Sequence, residues 1–423
     1  MAPFVGEERK GNADLLAKLY DQVSKDSTPR MVCLVAEGGW GKTRIVQEFY
    51  GWLQRERQPQ GEYWPSELSD PEQDPMRSRK VIYPERVVAP PDRRMPWLWW
   101  GLRCEQVSSG RKLRALLNDG VQLKAHLAAL VEVAERRKDN RDFALSILGE
   151  TMAFIPGVGQ IASIAMAAQS LAPRAWKKVV EAFESGQDRR RLEQEPRTVD
   201  LAASSAPEVN TLVELVKQFI SPDLPLILAI DDAHAADPDT VEFVRRVLTL
   251  KAPVLVVCTA WPSSLEDQLD EEQEIEPIQR RTFGGLLDTL REERPETVIR
   301  QDLSPLPDDA LAELVTAVAP HTSEKSMRAL IETSGGNPLV LRLNLTSSRV
   351  QRSIVDEAIT LSLGDLQKLP RGFERIIGER FEDLAEPDRM WLAEAALQGF
   401  EFLPGYIISS AENLDLERIG AFV

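Results

Sequence analysis

Four stretches of the chain are apolar without alternation: "MVCLVA" at 31–36, "WLWWGLRC" at 97–104, "LPLILAID" at 224–231 and "APVLVVCTA" at 252–260. Uninterrupted runs of this length predict strands buried on both faces, as in a parallel sheet. "ETVIRQDL" at 296–303 predicts a further, weaker strand. Between them the spacing changes to helical. Residues 11–26 and 43–57 carry apolar positions at i, i+3, i+4, with Ile45, Val46, Phe49 and Trp52 on one side of the second. Residues 111–137 predict another helix. A capping-box pair, Ser205 and Glu208, precedes a helix with Val209, Leu212, Val213, Val216 and Phe219 on one face. Strands alternating with helices imply an α/β core with a parallel sheet. Beyond Pro305 no strand pattern remains, and residues 308–400 read as short helices, which puts a domain boundary near residue 304.

Two regions interrupt this alternation. From about 57 to 95 the chain is rich in Pro, Glu, Asp and Arg without periodicity, and reads as a long irregular excursion. Between Thr151 and Ala172 there is no charged residue, a length that could span a bilayer. That run contains Pro156, Gly157, Gly159, Gln160 and Gln169, and much of it is Ala, which favours packed helices while leaving membrane contact open.

At 423 residues, two or three domains are expected. The net charge of −16 disfavours a general nucleic-acid binder, because an acidic surface repels phosphate backbones. "MAPFVGEERK" has no apolar core of a secretory signal, which points to the cytoplasm. Cys33, Cys104 and Cys258, and likewise His126, His234 and His321, are too scattered for a zinc site, and the cysteines read as small buried hydrophobes.

The candidate chemistry lies directly after the first apolar run, in "AEGGWGKT" at 36–43. It ends as a phosphate loop G-x-x-x-x-G-K-[ST] ends, but Ala36 stands at the first glycine position. A methyl group is tolerable there if φ at the strand end is negative. Gly38, Gly39 and Gly41 allow the backbone path that points N–H groups at phosphate oxygens, with Trp40 at a free position. Lys42 would reach the β- and γ-phosphates and Thr43 would give its hydroxyl to Mg²⁺. The helix beginning at Lys42 adds its positive dipole end. The second half of the site is expected where a buried strand ends in acids, "LILAIDDAH". There Asp231 would hold Mg²⁺ through water, and Asp232 would orient or deprotonate the attacking water.

These residues resemble the STAND ATPases, signal-transduction NTPases related to AAA+ proteins. "FVGEER" at 4–9 is similar to their opening "FVGRE", with Glu7 in place of the usual Arg. "GGWGKTRIV" resembles their phosphate loop, "IDDAHAADPDTVEFV" their acidic strand, "LSPLPDDALAELV" the start of their helical lid and "SGGNPLVL" at 334–341 their Gly-x-Pro motif. The tail from Leu369 looks like the beginning of their winged-helix region. The resemblance implies a P-loop α/β domain over 1–304 with a large, mostly helical insertion at about 57–205, a helical lid over 305–370, and an incomplete winged-helix region from 371 to 423. It implies that Val5 borders adenine and that Pro338 packs near the base; read physically, "GGNP" is also an ordinary helix–helix turn. ATP or ADP with Mg²⁺ would be held by Val5, Gly38, Gly39, Trp40, Gly41, Lys42, Thr43, Arg44 and Pro338. Two departures stand out. The insertion is far longer than the family's usual link between these strands. And "VCTAWPSS" places Trp261 about where many relatives have an Arg that senses the γ-phosphate, which implies inefficient hydrolysis; Arg44, Arg280, Arg281 and Arg300 are candidate substitutes.

By this resemblance the chain is an ATP-dependent regulatory switch of low turnover. Its closure would be triggered by a protein partner, and its output would be oligomerisation or effector release in signalling, transcriptional control or antiphage defence. The family's sensor usually follows the winged helix, so the end at Val423 implies a fragment or a separate sensor protein. Two other classes remain open: a DNA-acting AAA+ initiator-like ATPase, and a membrane-associated nucleotide-binding scaffold using 151–172.

Overall fold

The computed structural model describes residues 3–57, 97–104, 224–272 and 280–382, with isolated positions between 209 and 222 and between 384 and 393. The predicted helix at 111–137, the uncharged run 151–172, the Ser205–Glu208 cap and most of the winged-helix region lie outside the described residues.

The fold is α/β. Helix α1 (Glu7–Asp26) leads into β1 (Arg30–Val35), and α2 (Lys42–Arg57) follows the loop. Next come β2 (Leu98–Arg103), β3 (Leu226–Asp231), α3 (Pro238–Val247), β4 (Val254–Ala260), α4 (Pro262–Glu271), α5 (Phe283–Glu293) and β5 (Val298–Asp302). The five strands form one parallel sheet in the order β2-β3-β4-β1-β5. All residues of β4 are buried, as are Met31 to Val35 in β1 and Leu226 to Ile230 in β3. That is the environment their unalternating apolar composition demands. Cys33 and Cys258 lie opposite each other in this register, both free and fully enclosed, and burial pushes the Cys33 thiol up to about 12. Edge strand β2 is anchored by rings: Tyr50 of α2 meets Trp97 and Trp99 edge-on at 5.7 and 5.1 Å. Val209, Val213 and Val216 are buried in the same core, on the spacing expected of one helix face.

Because every strand is parallel, the C-terminal ends of β1, β3 and β4 open on one edge, which is where ligands bind in such sheets. Local signals place the groups there. Asp237 caps α3, accepting from the N–H groups of Asp239 and Thr240, with Pro238 at the first helical position. This fixes how the chain leaves β3.

Past β5 come α6 (Asp308–Val318), α7 (Glu324–Ser334), α8 (Pro338–Leu345) and two short helices, α9 (Ser348–Gln351) and α10 (Leu363–Leu366), before α11 (Phe373–Glu382). Their buried residues, from Leu306 to Leu369, form a second hydrophobic cluster that also takes in Val5. Contrary to the all-helical expectation, a small antiparallel pair, Ile354–Val355 with Ala358–Ile359, lies within it. Its strands are two residues long, too short for any alternation to show. Asp356 and Glu357 turn the chain with φ of 50° and 60°, as the tight hairpin turn requires.

Candidate functional site

The loop between β1 and α2 forms one wall of a cavity of about 630 Å³. Gly39, Trp40 and Gly41 line it from the loop, Lys42, Thr43 and Arg44 from the first turn of α2, Val5 from the N-terminal segment, Asp231 from β3 and Pro338 from α8. Gly38 and Asp232 adjoin these residues in sequence but are not part of the lining. Gly39 and Gly41 have φ of 83° and 90°, so glycine is required at both, whereas Gly38 shows no such value and a side chain there would meet open space. Ala36 is 5% exposed at the strand end, with its N–H bonded to Ala260 O, and does not have positive φ. A first glycine is therefore dispensable.

Lys42 is 7% exposed, and its Nζ donates to Ala36 O at 2.5 Å and Glu37 O at 3.0 Å. Burial lowers its pKa; the carboxylates of Asp232, Asp231 and Glu37 oppose that shift. An ammonium so desolvated is matched to a polyanion that would supply the missing charge. Across the cavity, Asp231 Oδ1 accepts from Thr259 Oγ1 at 2.6 Å, and the same hydroxyl accepts from the Asp232 N–H at 3.0 Å. Thr259, near the end of β4, thus holds the Asp231 carboxylate and the backbone of Asp232. Asp232 has φ of 51°, a left-handed conformation that Asp tolerates.

No group of three or more His, Cys, Asp or Glu side chains that could hold a metal is present among the described residues. Mg²⁺ does not need one, since it commonly takes one or two carboxylates together with substrate phosphates. Thr43 and Asp231 offer hard oxygen donors to the same cavity and fit such an ion.

Trp261 stands two residues past Thr259 and outside the cavity lining, 38% exposed, with its ring stacked on His234 at 5.1 Å. His234 is itself 5% exposed with Nδ1 unpartnered, and burial, then repulsion by Lys42, holds its pKa down at about 4. The sign follows directly: between 6.5 and 4 the unfolded chain binds a proton that the folded imidazole refuses. His234 therefore contributes stability that is complete above about 6.5 and lost as pH falls toward 4. Replacing His234 with Gln is expected to remove about 2 kcal/mol of that acid-dependent loss, read from urea midpoints at pH 7.5 and 5.

Of the arginines considered as substitutes for a phosphate sensor, only Arg44 reaches the cavity, where it pairs with Glu48 at 2.6 Å and lies 6.0 Å from the Phe4 ring centre. Arg280 pairs with Asp288 and Arg300 with Asp302, both elsewhere, and Arg281 is exposed with its N–H on Glu272. Two other arginines line the cavity, Arg9 from α1 and Arg342 from α8. Sequence reasoning passed over both, and over Thr259 and Asn337. Thr259 could have been noticed as the one polar residue within a wholly apolar run.

α8 also touches the loop directly. Its cap, Asn337, accepts from the N–H groups of Leu339 and Val340 and donates Nδ2 to Gly38 O at 3.0 Å. Leu339 N–H donates to Gly39 O at 3.3 Å.

No protein-family model and no curated protein matches the chain. Among solved structures it is similar to that of the Aeropyrum pernix ORC2 protein in its ADPNP–ADP complexes, with a TM-score of 0.37 and 10% identity over 100% of this chain and 86% of that one. A likeness of that degree carries no inference about what this chain binds. No helix among the described residues is long and apolar enough to cross a membrane.

Proposed function

We propose that the chain is an ATP-binding switch of the P-loop AAA+ type, holding ATP and Mg²⁺ between the α/β core and a helical lid. The observation that carries this reading is the shared cavity. It brings a glycine loop with a buried lysine, an acid at a strand end and the first turn of a lid helix to one space. In this reading 1–304 is the nucleotide-binding domain, 305–370 the lid and 371–423 the start of a winged-helix region. Loop N–H groups and Lys42 bind the phosphates, Thr43 and Asp231 hold Mg²⁺, and Val5 and Pro338 border the base. Asp232 orients water. The ion supplies charge neutralisation at the phosphates when bound. Trp261 brings no cation to the γ-phosphate, which supports slow turnover.

The finer assignment to the STAND type, with a triggering protein partner and a homo-oligomeric active state in signalling or antiphage defence, rests on the sequence motifs. A DNA-acting, initiator-like ATPase would use the same site. Salt-dependent retardation of duplex DNA by the pure protein would select that class.

Turnover tests the catalytic half. The wild type is expected to bind ATP with Mg²⁺ and to release phosphate slowly. Asp232→Asn keeps a residue suited to the left-handed backbone and removes the charge. It should bind ATP within about threefold of wild type and lose about 100-fold in single-turnover rate. Equal rates would remove Asp232 from the chemistry.

A further inference from the structure

The loop's carbonyl groups can be accounted for one by one. Ala36 O and Glu37 O accept from Lys42 Nζ, Gly38 O from Asn337 Nδ2, Gly39 O from Leu339 N–H, Trp40 O from Arg9 Nε at 3.3 Å and Gly41 O from Ile45 N–H. In a trans peptide the C=O of one residue and the N–H of the next point in opposite directions. Holding the carbonyls of Gly38, Gly39 and Trp40 therefore fixes the peptide planes that also carry the N–H groups of Gly39, Trp40 and Gly41. Three of these anchors come from elements remote in sequence: two from α8 and one from α1.

Arg9 does more than anchor. It is 3% exposed, and besides Trp40 O its Nη2 donates to Ser304 O at 2.5 Å. Nη1 lies 3.0 Å from Glu8 Oε1 without a hydrogen-bond alignment, and that same carboxylate oxygen accepts from the Ser304 N–H at 3.0 Å. Glu8 and Arg9 thus hold both backbone polar groups of Ser304. This residue joins β5 to the helices beyond it, immediately before Pro305 and Leu306, whose N–H is bonded to Gly336 O beside α8. A planar guanidinium presents its donors in a fixed fork that reaches carbonyls on two separate elements, whereas an ammonium is a compact point donor.

We propose that Arg9 is a positioning residue that couples the phosphate loop to the core–lid junction at Ser304, so that nucleotide in the loop orders the junction. Glu8 completes the clasp. Nucleotide that draws the loop N–H groups onto phosphate oxygens fixes the same peptide planes whose Trp40 carbonyl binds Arg9, and Arg9 then holds Ser304. The inference rests on the nucleotide reading of the cavity, and its test separates the two.

Amide hydrogen exchange on the full chain, with and without ADP and Mg²⁺, reads both. In the wild type, ADP is expected to slow exchange at the loop, residues 38–41, and also at the junction, residues 303–306. In Arg9→Lys, which keeps the charge, the loop should still be protected at saturating ADP, the junction should gain less than a third of the wild-type protection, and ADP affinity should fall about tenfold. Asn337→Ser keeps a cap for α8 but is too short for Gly38 O. It should lower affinity while leaving the protection at 303–306 intact, which separates the α1 route from the α8 contact. If Arg9→Lys shows wild-type protection at 303–306, the coupling is wrong although the site stands. If Arg9→Lys fails to fold, Arg9→Met, which keeps the aliphatic stem and removes every donor, is used instead, and wild-type junction protection there likewise overturns the coupling. Absence of ADP binding by the wild type overturns the site and the coupling together.

Discussion

Lys42→Ala is expected to reduce the affinity for ADP and ATP at least about 100-fold, because in the proposed site the phosphate charge is met by a buried ammonium that solvent cannot replace. Isothermal titration measures this directly, and thermal unfolding reads it independently. At 100 times its dissociation constant, ADP should stabilise the wild type by about 2.7 kcal/mol. At the same ADP concentration the variant should gain no more than about 0.4 kcal/mol. Its own stability without nucleotide should equal or exceed that of the wild type, since the substitution also removes the cost of burying a charge. Loss of binding together with loss of the unliganded fold would mean that Lys42 is structural. Unchanged binding would remove the loop from nucleotide recognition.

The second large effect is expected at Gly39. A Cβ built there would lie 2.7 Å from Leu339 Cβ and 2.8 Å from Asn337 Oδ1, on a residue with φ of 83°. Gly39→Val therefore both strains the backbone and pushes α8 off the loop, at a cost of about 1–3 kcal/mol for the conformation alone. Nucleotide affinity should fall about 100-fold, and hydrogen exchange at 338–341 should quicken even without nucleotide. Gly38→Ala is the control: its Cβ meets nothing within 4 Å, and affinity should change by less than about threefold. If the two variants behave alike, the contact between α8 and the loop has no part in binding.

The contrast between these neighbouring glycines shows what the sequence could and could not reveal. Strands β1, β3 and β4 were legible because burial on both faces leaves an unbroken apolar run, and the glycine loop was legible because strand, loop and helix are contiguous. Which glycine bears positive φ, and which one faces α8, depends on a segment about 300 residues downstream. Arg9 and Asn337 escaped notice for the same reason: their partners at Ser304 and Gly38 lie 295 and 299 positions away. Trp261 was legible as a departure from a cationic sensor, but not as a ring stacked on His234, because only the turn after Asp232 brings that imidazole beneath it. The hairpin at 354–359 was lost for want of length.

The strand order also governs how the chain must be made. β1 has no sheet partners other than β4 and β5, and Val254, where β4 begins, follows Val35 by roughly 220 residues. At a synthesis rate of about 5–20 residues per second, this apolar strand waits for about 10–45 seconds before its first partner leaves the ribosome. During that time its edges are open to wrong pairing, and the long-range closure that follows is intrinsically slow. The protein that emerges carries its glycine loop at the end of the strand that waits longest, so yield from cells should depend on holding chaperones far more than the stability of the finished sheet would suggest.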